Sequence, residues 1–334
     1  MKKEAIIGAI LLLVCIIIWS YNHRFLSVIN LQQEATLIGM FGIFSIGMGL
    51  IIITKGIDLS VGSLFALQGV LLSKWLTVDG WHWYWACLAS IGLTTAIGYI
   101  HSVFIAHGKM QPFIITLCGF MIYRSFARWE VNDQSMGLDR DQFPFLGTLV
   151  GGNVFGIPCP FIIMVVIAVI VGILLHRSVF GRHLFAVGRN EEAARYSGIN
   201  SARVVTIAYI INGILVGIAG IIVGFYGDSV SPAGHALAYE LYAIAAAVLG
   251  GCSLWGGEGS VLGIVLGTAL LQVLQNLVNL MRIDTSLNGA VVGIVIFIGA
   301  LVDQIMTRRR RAKKIVILES APGGLAVPPA GGIR

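Results

Sequence analysis

Four side-chain amides, Gln272, Gln275, Asn276 and Asn279, recur at i, i+3, i+4 and i+7 inside an apolar stretch, 260–280. On a helix that spacing puts all four on one face, over about 10 Å at 1.5 Å per residue. Neutral amides donate and accept hydrogen bonds without a fixed charge, which suits an uncharged hydroxylated solute. Facing another helix, the same stripe would be interhelical glue. The spacing leaves both roles open. Asn212 and Asn288, in the seventh and tenth apolar stretches, could add to such a lining. A second polar stretch, GIDLSVGS at 56–63, supplies Asp58, Ser60 and Ser63. Asp58 or Ser60 can cap a helix start there, and Gly56 and Gly62 permit a tight bend. Bond-making chemistry finds no constellation. G-x-x-x-x-G-K-[ST], G-x-S-x-G and H-E-x-x-H are all missing, and the seven histidines are scattered. The chain reads as a non-enzyme with no cofactor and no metal site, and ATP hydrolysis, if any, falls to another polypeptide.

The elements that must hold these amides are membrane spans. Hydrophobic residues make up 57% of the 334, charged residues only 11%, and mean hydropathy is +0.88. Soluble domains carry about 25% charged residues, and a soluble chain of this size could not shelter so much apolar surface. A spanning helix needs roughly 20 mostly apolar residues. Ten stretches qualify: 5–21, 33–54, 61–77, 83–106, 111–129, 157–175, 204–226, 238–252, 260–280 and 286–306. The third is short and the eighth rich in Ala and Gly, so both are candidates for broken or re-entrant segments. None alternates with period 2, so the expected fold is an all-α polytopic helix bundle of about ten transmembrane spans, not a barrel. The first stretch exceeds a usual signal-peptide core and no small-residue cleavage site follows it, so it reads as a retained span. The five cysteines show no C-x-x-C spacing and read as small embedded side chains. Gly213/Gly217 and Gly259/Gly263/Gly267 form small-xxx-small stripes for close helix packing.

Positive charge sets the orientation. With the N-terminus inside, 16 of the 22 Lys and Arg residues fall at the inner face and 6 outside. Both termini are then cytoplasmic. Residues 1–306 form the membrane domain, and 307–334 a basic, disordered cytoplasmic tail whose 308–314 run anchors to lipid rather than nucleic acid. Trp81, Trp83, Tyr84 and Trp85 read as an outer aromatic belt, with a sugar-stacking platform as the competing idea. Arg124 and Arg128 are expected to snorkel to the outer surface, or else to meet a docked protein. Glu34, Glu240, Asp303, His101 and Arg124 fall near span ends. No ionisable group is placed deep in the bilayer, which counts against the alternative of an ion- or proton-coupled carrier acting alone.

The longest polar interruption with helical character is FGRHLFAVGRNEEAARYSGI, 180–199, within a polar segment 177–203. Gly181 and Gly188 are expected to break the backbone. Asn190 can cap a short helix with Glu191 and Glu192 in its first turn, and Gly198 sits at its stop. Such a helix is either an ordinary capped surface loop or a surface pressed against something outside the membrane. The stretch resembles the cytoplasmic coupling segment of bacterial ABC importer permeases for monosaccharides, the ribose and xylose permease family. That pattern, G-R-x-x-x-A-x-G-x-N-x-x-A-A-x-x-x-G-I, is filled by Gly181, Arg182, Ala186, Gly188, Asn190, Ala193, Ala194, Gly198 and Ile199. GIDLSVGSL at 56–64 and AVLGGCSLWGGEGSVLG at 247–263 are two further signatures, with Cys252 where Thr or Ala is commoner. The resemblance spans residues 30–305 and is specific for the family, not for the sugar. It implies a multi-pass inner-membrane permease that imports a monosaccharide or related polyol by alternating access. It also implies partners: ABC ATPase subunits, a periplasmic or lipoprotein sugar-binding protein, and a second permease subunit. Arg189, Glu191, Glu192 and Arg195 would make the charged contact with the ATPase. The 56–63 bend would belong to the substrate-pathway half.

Overall fold

The computed structural model describes residues 2–281, with positions 284, 287, 289, 290, 293, 294, 297 and 301. The tenth expected span, Asn288 and the 307–334 tail lie outside the described residues or are covered only by those scattered positions. Twelve α-helices dominate: α1 Lys2–Tyr21, α2 Val28–Ile53, α3 Val61–Thr77, α4 Trp83–Ser102, α5 Pro112–Glu130, α6 Pro144–Gly151, α7 Cys159–Arg177, α8 Val179–Arg189, α9 Glu191–Tyr196, α10 Ser201–Tyr226, α11 Tyr239–Leu249 and α12 Val261–Leu280. Among the described residues, strand is confined to two short antiparallel pairs, 136–137 with 229–230 and 153–154 with 157–158. Local chemistry sets many boundaries. Ser27, Asn200 and Ser260 each accept a backbone N–H from the first turn that follows. Pro112 opens α5 at a position where its missing N–H costs nothing.

The bundle is built around α2 and α10, which run antiparallel. From Gly39 to Ile53 every residue of α2 is buried, as befits a helix that is apolar all round. Its neighbours are α7, α10, α11 and α12, while α4 lies on α10 and α1 lies on α12. The small-residue stripes bring backbones together as expected. Gly213 and Gly217 lie against α4 at Thr94 and Ile91, and Gly263 and Gly267 lie against Gly250 and Ala246.

Six helices are long and apolar enough to cross a membrane: α1, α2, α4 with its π-helical extension Val103–His107, α7, α10 and α12. The chain is therefore a multi-pass helical protein, with these six candidate spans among the described residues. α5 has 19 residues but carries Arg124, Arg128 and Glu130. α3 and α11 are short, 17 and 11 residues.

The two ends of the bundle differ in charge. One carries Lys55, Lys109, α8, α9 and the start of α1, where Glu4 Oε1 accepts from Ser260 Oγ at 2.9 Å. The other is braced by ion pairs: Lys74 with Glu130, Arg128 with Asp133, and Arg140 with Asp228. The Arg128 guanidinium holds the Asp133 carboxyl below its usual range.

Candidate functional site

After Ile53 the chain turns at Lys55 and runs back into the bundle. The 56–63 stretch thus leads from the Lys55 turn into the buried interior, where Asp58, Ser60 and Ser63 lie. Asp58 Oδ2 accepts from Asn212 Nδ2 at 3.0 Å, and Asn212 lies against Gly47, six residues before the end of α2. Six helical residues are about 9 Å of depth. Asp58 Oδ1 accepts from both the backbone N–H of Ser60 (2.9 Å) and its hydroxyl (2.6 Å). Asp58, not the N-cap residue Ser60, thus organises the start of α3. Ser63 Oγ donates to the Ser60 carbonyl at 2.7 Å. Because α3 begins inside the bundle, 17 residues suffice to reach the far end.

α11 begins beside it. Gly62 lies against the Glu240 carboxylate and the Ala236 carbonyl. The Tyr239 ring stacks on Phe44 at 6.1 Å and meets Phe65 edge-on at 6.4 Å. From there α11 runs the opposite way, toward the α8–α9 end, where the Gly257 N–H donates to the Ile53 carbonyl at 2.9 Å. Two half-length helices thus start side by side within the bundle and diverge. Helix starts carry partial positive charge, and each has one buried carboxylate beside it, Asp58 and Glu240. Discontinuous helices that meet inside a bundle are a recurrent way for transporters to build a solute site.

The structure brings Asp58, Ser60, Ser63 and Asn212 together, all buried. It adds residues the sequence reading missed. Gln68 Nε2 donates to Ser90 Oγ and to the Gly217 carbonyl, both at 2.7 Å. His101 Nε2 and Tyr123 Oη are 2.7 Å apart. A lone amide in an apolar run has no periodic partner to mark it, so Gln68 gave no signal. Glu34, Glu240 and His101 lie near helix ends, in keeping with their places in the sequence, yet all three, and Asp58 with them, are buried within the bundle. Arg124 departs from expectation. Its Nη1 turns inward to the carbonyls of His235 (2.7 Å) and Pro232 (3.2 Å), on the loop that enters α11. Asn212 Oδ1, Gln68 Oε1, Tyr209 Oη and Glu240 Oε2 are buried without a hydrogen-bond partner in the protein. The interior therefore offers acceptors and a hydroxyl to a polar visitor.

The amide stripe is divided. Asn276 Nδ2 donates to Glu34 Oε1 (2.7 Å) and to Asn30 Oδ1 (2.9 Å), joining α12 to α2. Gln272 is buried, Gln275 half-buried and Asn279 exposed. Asn276 thus acts as glue.

The polar segment forms α8 and α9. Gly181 and Gly188 do not break the backbone. Both lie inside α8, where any side chain on them would run into the carbonyls of Leu175 and Ile53 respectively. They are points of close approach that seat α8 on the ends of α7 and α2. Asn190 does cap α9, its Oδ1 accepting the Ala193 N–H at 3.0 Å. Gly198 ends it with φ +82°, a conformation that favours glycine. Ala194 is buried, while Arg182, Arg189, Glu192, Ala193 and Arg195 are exposed. Tyr196, not singled out from sequence, stands 93% exposed on the same knob. Glu191 is engaged within the chain, its Oε1 2.8 Å from Lys109 Nζ.

Residues 30–300 match the family described as branched-chain amino acid transport system / permease component. The chain is 34% identical over 307 residues to the ribose import permease protein of Escherichia coli (strain K12), covering 91% of this chain and 94% of that one. It is 36% identical over 301 residues to the ribose import permease protein of Bacillus subtilis (strain 168), covering 88% and 90%. It is 31% identical over 306 residues to the L-arabinose transport system permease protein of Escherichia coli (strain K12), covering 92% and 91%. No solved structure matches.

Proposed function

This chain belongs to the branched-chain amino acid transport system / permease component family, and from that premise we propose that it is the transmembrane permease subunit of an ATP-binding-cassette importer for a monosaccharide. It works in the inner membrane as a multi-pass protein. The observation that carries this reading is that ribose and L-arabinose permeases match across about nine-tenths of both chains. The finer assignments are ours. Residues 1–306 form a domain of about ten spans with both ends cytoplasmic, followed by a basic tail. ATP is hydrolysed on separate ATPase subunits. A binding protein delivers the sugar from outside, and a second permease subunit completes the membrane unit.

In this reading the knob formed by α8 and α9 is the coupling segment. Gly181 and Gly188 seat it, and Asn190, Ala193, Ala194 and Gly198 shape it. Arg182, Arg189, Glu192 and Arg195 face the ATPase, with Tyr196 among them. Force on the knob changes the packing where α3 and α11 meet, and Asp58, Ser60, Ser63 and Asn212 govern the sugar's path there. Gln272, Gln275, Asn276 and Asn279 serve mainly to pack α12.

The test is reconstitution of the permease in proteoliposomes with its ATPase and binding protein. ATP-dependent uptake of labelled ribose or L-arabinose, lost when the ATPase is omitted, is the expected result. Uptake by the permease alone, driven by an ion gradient, would overturn the reading in favour of a secondary carrier.

A further inference from the structure

We propose that Lys55 and Lys109 are positioning residues that pin the junction of α8 and α9, passing its displacement to Asp58 and to α5. The inference rests on the coupling role proposed above for α8 and α9. The two lysines come from separate turns, one after α2 and one before α5. Both have left-handed backbones, φ +68° at Lys55 and +54° at Lys109. That conformation penalises any residue with a Cβ and would suit glycine. Lysine there is explained by what its side chain reaches. Lys55 Nζ donates to the Arg189 carbonyl at 3.3 Å, at the end of α8. Lys109 Nζ pairs with Glu191 Oε1 at 2.8 Å, at the start of α9. Asn190 between them is extended, with φ −156° and ψ 104°. The hinge is thus held on both sides by an ammonium group.

Beneath these pins lies a cavity of about 300 Å³, lined by Lys55, Gly56, Lys109, Gln111, Glu191 and Tyr209 among others. It gives the junction room to move inward. Lys55 is three residues from Asp58, which holds both the start of α3 and Asn212. Lys109 is three residues before Pro112, the first residue of α5. A displacement of the junction therefore arrives at two elements that bound the polar interior. A solvent-exposed ion pair adds little to stability, so the pair is better suited to directing movement than to holding the fold.

The test uses the complete transporter in proteoliposomes and reads sugar imported per ATP hydrolysed. Lys109→Gly removes the ammonium while relaxing the backbone, and Glu191→Gln removes the pair with an isosteric side chain. Each is expected to lower the ratio at least about fivefold, the lower end of usual coupling between sites, with no loss of melting temperature. Lys55→Gly is expected to do the same. The exchanged pair K109E/E191K should recover most of the ratio, which a direct contact of Glu191 with the ATPase would not do. An unchanged ratio in both Lys109→Gly and Glu191→Gln overturns the proposal, as does an exchange that recovers nothing. If Lys109→Gly fails to fold, Glu191→Gln and the exchange decide. If Arg195→Glu and Tyr196→Ala uncouple transport while the lysine variants do not, the pins fall and the coupling role stands. If neither set changes the ratio, both fall.

Discussion

A carboxylate buried at a helix start is tolerated only while donors meet its oxygens. Asp58 has three: the Ser60 N–H, the Ser60 hydroxyl and the Asn212 amide. Asp58→Ala strands the N–H and the amide, each costing about 1–3 kcal/mol when buried and unmet. Thermal melting of the purified protein should therefore show a loss of about 2–6 kcal/mol. Asp58→Asn keeps an acceptor for Ser60, and its new N–H₂ can donate to Asn212 once that amide flips to present its unpartnered Oδ1, so its melting temperature should stay close to that of the parent. Equal melting of the two variants would show that this network does not hold α3 in place. Asp58, Ser60, Ser63 and Asn212 were legible because polar side chains stand out in apolar stretches. Their convergence was not legible, since Asp58 and Asn212 lie 154 residues apart. Arg124 misled for a related reason. Four residues before Arg128 near a helix end, it looks like a snorkelling cation, and only the distant 232–235 loop supplies the carbonyls that turn it inward.

The short helices and the knob are products of backbone proximity. α3 and α11 were recognisable as abnormal spans from length and composition. That their starts abut is a contact between Gly62 and Glu240 that no periodicity announces. In the knob, the sequence pointed correctly to the Asn190 cap and the Gly198 stop, because capping is local chemistry. Gly181 and Gly188 were misread as breakers because their neighbours, the Leu175 and Ile53 carbonyls, are set by the packing of α8. The two kinds of glycine predict different failures. Gly198→Ala meets open space, so it should cost about 1–2 kcal/mol of backbone strain without pressing on a neighbouring helix. Gly188→Ala would press on the Ile53 carbonyl and lift α8 off α2, costing about 1–3 kcal/mol in overpacking. It should also uncouple ATP hydrolysis from uptake, because the knob loses its seat. The amide stripe gives a third test at this scale. Asn276→Leu removes the bonds to Asn30 and Glu34, each worth about 0.6 kcal/mol and at most about 1.7. It should lower the melting temperature slightly and leave uptake unchanged. A change in which sugar is imported would return the stripe to the solute path.

For the molecule as a whole, the opposed ends of the bundle determine how it sits in the membrane. The end with α8 and α9 gathers Lys55, Lys109, Arg177, Arg182, Arg189, Arg195 and Arg203. The other end has fewer cations, and three of them are paired with carboxylates, Lys74 with Glu130, Arg128 with Asp133 and Arg140 with Asp228. Insertion retains the richer cluster of Lys and Arg on the cytoplasmic side, so the knob should face the cell interior, where an ATPase can reach it. Charge counting alone could assign the sides to spans. The fold adds that α1 starts at the same end as the knob, through Glu4 and Ser260, so one measurement fixes both. In a variant stripped of its native cysteines, Glu192→Cys should react with a membrane-impermeant maleimide only in inside-out vesicles. Asn132→Cys, exposed just beyond α5 at the opposite end, should react only in right-side-out cells. Labelling of Glu192→Cys from outside would put the knob beyond reach of any ATPase and would remove the basis for coupling through it.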